Sequence, residues 1–104
     1  MNRGLILAAL VVLPGCLTAR GEWRHQRYDV LPTISADIDQ AYIAGQVDRP
    51  TYLRLVAGEN AYRAALVVWA QAIEGTGDEP AARAEVLALL EALRAALEEA
   101  KHEQ

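Results

Sequence analysis

Residues 49–101 read RPTYLRLVAGENAYRAALVVWAQAIEGTGDEPAARAEVLALLEALRAALEEAK. Within this stretch Tyr52, Leu55, Glu59, Tyr62, Leu66, Trp69 and Ile73 recur at alternating steps of three and four. That spacing gathers them on one side of an α-helix as a coiled-coil-type seam, with Glu59 in one core slot. Val56 and Ala65 widen the seam, and Ala64 to Ala70 is apolar on all sides, which predicts contact on two sides. Gly75-Thr76-Gly77-Asp78-Glu79-Pro80 breaks the pattern: two glycines, a capping carboxylate and a proline make a loop. A second seam follows in Val86, Leu90, Leu93, Leu97 and Ala100, supported by Leu87 and Leu89. Two long helices joined by a short loop form an antiparallel hairpin.

Working toward the N-terminus, Leu31, Ile34, Ile38 and Ala41 lead to Gly45 with the same three-four spacing. Pro32 suits the first turn of a helix and Gly45 its end. Asp48 then stands as the N-cap of the next helix. The expected fold is all-α: a small antiparallel three-helix bundle, one short helix and two long ones, over residues 32–104. Its helices are placed at about 32–44, 49–74 and 80–102. Glu79 and Arg83 are expected to pair at i,i+4, and Glu98 and Lys101 at i,i+3. Glu59 is expected to reach out from the edge of its narrow seam to solvent rather than pair with Arg54, Arg63 or Arg83 or set register as a polar core residue.

The chain has 104 residues, a formal net charge of −4 and a single cysteine. One cysteine allows no internal disulfide, and an acidic chain lacks the basic footprint that nucleic acid requires. The cysteine lies near the front. Met1-Asn2-Arg3 is a short positive segment, Leu5 to Leu13 an apolar run too short to span a bilayer, and Pro14-Gly15-Cys16 closes it. This segment resembles a bacterial lipoprotein signal with its lipobox, here Leu13-Pro14-Gly15-Cys16. Leu13, Gly15 and Cys16 match the motif, whereas Pro14 stands where the family carries Ala, Ser, Thr or Val. The resemblance implies a signal peptide over residues 1–15, thioether lipidation of Cys16, cleavage before it and acylation of the new amino terminus. Leu17 rather than Asp after the cysteine implies the outer membrane, facing the periplasm, in a Gram-negative cell. The alternatives are an ordinary secretory signal cut after Ala19, an uncleaved N-terminal anchor and a cytosolic protein with an apolar N-terminus.

Residues 16–31 show no clear period and read as the lipidated cysteine followed by a flexible basic tether. Arg20, Trp23, Arg24 and Arg27 are candidate membrane-surface contacts, since Trp favours the interface and Arg the anionic headgroups. The other reading is a spacer whose aromatics pack back on the bundle. Tyr52, Tyr62 and Trp69 form an aromatic stripe, which reads first as core and second as a face for a partner.

No residues converge on a catalytic, cofactor or metal motif. His25 and His102 have no partners at ligand spacing. Ser35 has no histidine near it, and Asp37 and Asp39 point to different sides of a helix. Together these features describe a non-catalytic structural or protein-interaction module of the envelope, held to lipid through Cys16 and working with a protein partner or by self-association. The alternative is an inhibitor or chaperone-like binder of a periplasmic enzyme. Residues 33–100 are also similar in style to small lipoproteins of unknown function encoded by phages and prophages, which implies an accessory role in the host envelope.

Overall fold

The computed structural model describes residues 18–103, so the signal segment and Cys16 lie outside the described residues. The chain folds as an all-α bundle of three helices: α1 (Leu31–Ile43), α2 (Arg49–Ile73) and α3 (Glu79–Glu103). Contacts fix the registers. Tyr52 of α2 meets Asp39 of α1, while Gly58 of α2 lies against Leu93 of α3. Both neighbours therefore run antiparallel to α2, which is the middle layer. The seams close on one another: Ile34, Ile38, Leu55, Tyr62, Leu66, Trp69, Val86 and Leu93 are among the buried residues of one continuous core.

The two connections use the same chemistry. Gly45-Gln46-Val47-Asp48-Arg49-Pro50 and Gly75-Thr76-Gly77-Asp78-Glu79-Pro80 share the pattern Gly-x-x-Asp-x-Pro. Gly45 and Gly75 adopt positive φ, 75° and 102°, a region that a side chain disfavours. The following residue closes each helix end, Gln46 N–H to Ala41 at 2.8 Å and Thr76 N–H to Gln71 at 2.9 Å. This is the six-to-one bond of a glycine-terminated helix. Each aspartate then caps the next helix, Asp48 accepting from Thr51 N–H at 2.9 Å and Asp78 from Ala81 N–H at 3.1 Å.

The segment read as a flexible tether is helical. Residues 18–25 are α-helical, and a π-helical turn, Gln26–Val30, joins them to α1 without a break. Proline at position 32 explains the wide turn. It has no N–H to give to the carbonyl four residues back, and its ring crowds that carbonyl. The ladder instead opens to an i,i+5 bond, from Leu31 N–H to the Gln26 carbonyl. The extra residue turns two neighbours inward together, and Val30 and Leu31 are both buried. This extension lies on α2: Trp23 Nε1–H donates to the Leu66 carbonyl at 2.8 Å, and Tyr62 donates to Gln26.

Candidate functional site

Two of the three residues of the aromatic stripe fall into the bundle's interior. Tyr62 and Trp69 are fully buried. The Tyr62 hydroxyl donates to the side-chain and main-chain oxygens of Gln26, and Trp69 Nε1–H donates to Glu79 at 3.0 Å. Burial pushes the Tyr62 phenol up to about 12, against the opposing pull of the Arg94 charge. Tyr52 is half-buried, stacked on Tyr42 at 4.3 Å, and donates to Asp39 at 2.9 Å. The aromatic stripe is thus spent within the chain, and Tyr62 and Trp69 offer a partner no surface. Large apolar area at three-four spacing is what a small core consumes first.

Glu59 is buried rather than extended to solvent. It is 6% exposed and accepts from Arg63 Nη2 at 3.2 Å. The Glu79–Arg83 pair expected at i,i+4 is replaced, because Glu79 serves Trp69 and Arg83 reaches across to Glu22 of the N-terminal extension. Glu22 and its hydrogen bond raise the Arg83 guanidinium further above its ordinary value. Lys101 and Glu98 do approach, at 3.7 Å.

The side chains of the extension open to solvent include Arg20, Arg24 and Tyr28, with His25 and Asp29 paired beside them and Arg27 partly exposed. Arg20 and Arg24 lie one α-helical turn apart on the same side, and Arg27 follows within the π-helical turn. Trp23 sits between them and the core, its ring fixed by the bond to Leu66. Tyr28 stands edge-on to Trp23 with centroids 6.0 Å apart, and the Arg27 guanidinium lies 5.5 Å over Tyr28. With Ala70, Ile73 and Glu74 of α2, residues Arg20, Trp23, Arg24 and Tyr28 border an open cleft of about 310 Å³. Arg20 approaches Glu74 at 3.8 Å, and both side chains are mostly in water. The cleft combines apolar rings with cationic rims, suited to a surface that is itself part apolar and part anionic.

Other polar groups are dispersed. His25 pairs with Asp29 on the surface at 3.0 Å, His102 approaches Glu98 at 3.7 Å, and Asp39 is engaged by Tyr52. Among the described residues no three His, Cys, Asp or Glu side chains gather where they would hold a metal ion, and no helix is long and apolar enough to cross a membrane. Nothing matches this chain among protein-family models, curated proteins or solved structures.

Sequence reasoning named Tyr28 as a tether aromatic and Ile73 as a seam residue, but missed Gln26, Glu22 and Glu74 as members of these contacts. For Gln26 a partial signal exists: Trp23, Gln26 and Val30 are three and four apart, although the single step from Val30 to Leu31 puts them out of phase with Leu31, Ile34 and Ile38.

Proposed function

We propose that this chain is a lipid-anchored envelope protein, acylated at Cys16, that works as a non-catalytic structural or protein-interaction module. The observation that carries this reading is the basic, aromatic face of the extension, which begins within a few residues of Cys16. Arg20, Arg24 and Arg27 beside Trp23 and Tyr28 suit the headgroup layer of an anionic leaflet. A lipidated Cys16 would hold this face against that layer. Three acyl chains, at about 0.8 kcal/mol per buried CH₂, give a stable anchor, and the arginines then set orientation. The location is the outer membrane on its periplasmic side, and an accessory role encoded by a phage or prophage belongs to the same reading.

The test is the intact mass of the product made in a Gram-negative host, wild type beside Cys16→Ala. The expected product begins at Cys16 and carries diacylglyceryl and acyl mass that the variant lacks. An unmodified product beginning at Arg20 would overturn the lipid anchor.

A further inference from the structure

The solvent side of α2 carries a pattern that the core does not use. Arg49, Leu53, Ala57, Asn60, Ala64, Val67, Gln71 and Glu74 follow one another at steps of three and four, and all are exposed. Leu53, Val67 and the adjacent Val68 are 52%, 56% and 55% exposed, although α2 is the middle helix. We propose that this face pairs with the same face of a second copy of the chain, antiparallel, about a two-fold axis near Asn60–Ala64.

The occupant follows from the order of charges. One end of the stripe is Arg49 and the other is Glu74. An antiparallel copy brings Arg49 of each chain to Glu74 of the other, and a two-fold interface makes that contact twice. A parallel copy would set like charges together at both ends. In the antiparallel register Leu53 faces Gln71, Ala57 faces Val67 and Asn60 faces Ala64. The alanines let the two helix backbones approach closely, and Asn60 supplies a polar group near the centre, which fixes register. Glu74 meets its own Arg20 only at 3.8 Å, both mostly exposed, so a second cation has access to it. Arg63, which flanks the centre, is already offset by its own Glu59.

Size tells what kind of dimer this is. A 25-residue helix is about 37 Å long and about 10 Å wide, so the face covers roughly 400 Å² per copy. At about 800 Å² in total, that is below the range of stable specific interfaces and fits a transient contact. The pairing is weak and reversible in free solution and strengthens when copies share one surface, through effective concentration. It deepens the interaction-module reading, while the contact itself does not depend on lipid at Cys16.

The test is sedimentation equilibrium of the full chain in density-matched micelles, with Arg49→Glu, Glu74→Arg and the double swap. Both single changes suit the helix ends they occupy, since acid is favoured at the start and base at the end, and the one intramolecular contact that Glu74→Arg removes, with Arg20, is loose and exposed. Each single change is expected to weaken dimerisation roughly tenfold, from two lost pairs and two new repulsions, and the double swap to restore it. Val67→Glu, which places charge in the apolar stretch, is expected to leave only monomer with unchanged circular dichroism. A wild-type chain that is monomeric at every concentration, or a dimer indifferent to all three charge variants, overturns the proposal. Neither result bears on whether Cys16 is lipidated.

Discussion

The hydroxyl of Tyr62, at the centre of α2, donates to both oxygens of Gln26, at the first residue of the π-helical turn. The most buried phenol of the bundle is thereby tied to the place where the N-terminal helix changes its winding. Burial raises that phenol to about 12 from 10.0. In the unfolded chain it ionises near 10, so the folded state alone holds the proton between the two values. Tyr62 therefore contributes its full share of stability below pH 10 and loses it as pH rises toward 12. The loss is about 1.4 kcal/mol per pH unit in that window. In alkaline denaturation followed by circular dichroism, Tyr62→Phe should lose this component of the pH dependence. It should be less stable at neutral pH by about 1–2 kcal/mol, because Gln26 keeps its acceptors without a donor. An unaltered alkaline slope would refute the assignment.

Glu59 and Arg63 make an unequal pair, the carboxylate buried and the guanidinium about half in water. Removing the cation strands the buried carboxylate, whereas removing both replaces the pair by packing. Arg63→Ala should therefore destabilise by about 1–2 kcal/mol. Glu59→Leu with Arg63→Ala should recover most of that loss or exceed it. Urea denaturation of the three chains decides the point, and equal losses in both variants would contradict it.

The N-terminal extension depends on one aromatic side chain. Trp23→Ala removes a half-buried ring and its bond to Leu66, and is expected to cost about 2 kcal/mol. Hydrogen exchange should accelerate first for residues 18–30, while the α2–α3 hairpin around Leu66 and Val86 keeps its protection. Uniform acceleration along the chain would show that the extension and the hairpin open as one unit.

The two capping aspartates make a matched experiment. Thr51, through its side chain first and its backbone N–H second, holds the Asp48 carboxyl below its usual 3.8. Its stabilising effect is thus present above that value and lost as pH falls through the lower, folded value. The Tm difference between wild type and Asp48→Ala should shrink in acid and stay level above pH 5. Asp78→Ala should lower stability by about 1 kcal/mol at neutral pH. A gap that widens in acid would reverse the sign argued here.

The seams of α2 and α3 were legible because apolar side chains at three-four spacing have one place to go when core is scarce. Leu55, Leu66, Trp69, Val86, Leu90, Leu93 and Leu97 are all buried where their periodicity places them. The loops were legible too, since Gly45, Asp48, Gly75 and Asp78 each do the local job their chemistry favours. The extension was not. Its inward stripe passes through polar Gln26, and the π-helical turn before Pro32 adds a residue that shifts the phase of the pattern. Glu59 was misjudged for a related reason: a carboxylate in a seam looks like a mismatch until a neighbour one turn on supplies a cation. The fate of Cys16 is written only in the motif around it, and the basic face was named from composition before its cleft against Ile73 and Glu74 was visible.

The repeated Gly-x-x-Asp-x-Pro connection has a consequence for how the chain comes together. Each helix packs on the one next to it in sequence, and α2 meets its two neighbours far more than α1 meets α3. Outside the contacts that the N-terminal extension makes with α2 and α3, the helices therefore find partners adjacent in sequence. The hairpin of α1 and α2 can assemble as it emerges, and α3 can add to a finished surface. Such a chain has low contact order and is expected to fold fast, on the microsecond-to-millisecond scale of helical domains. Speed of this kind limits the time the apolar seams lie open to other chains.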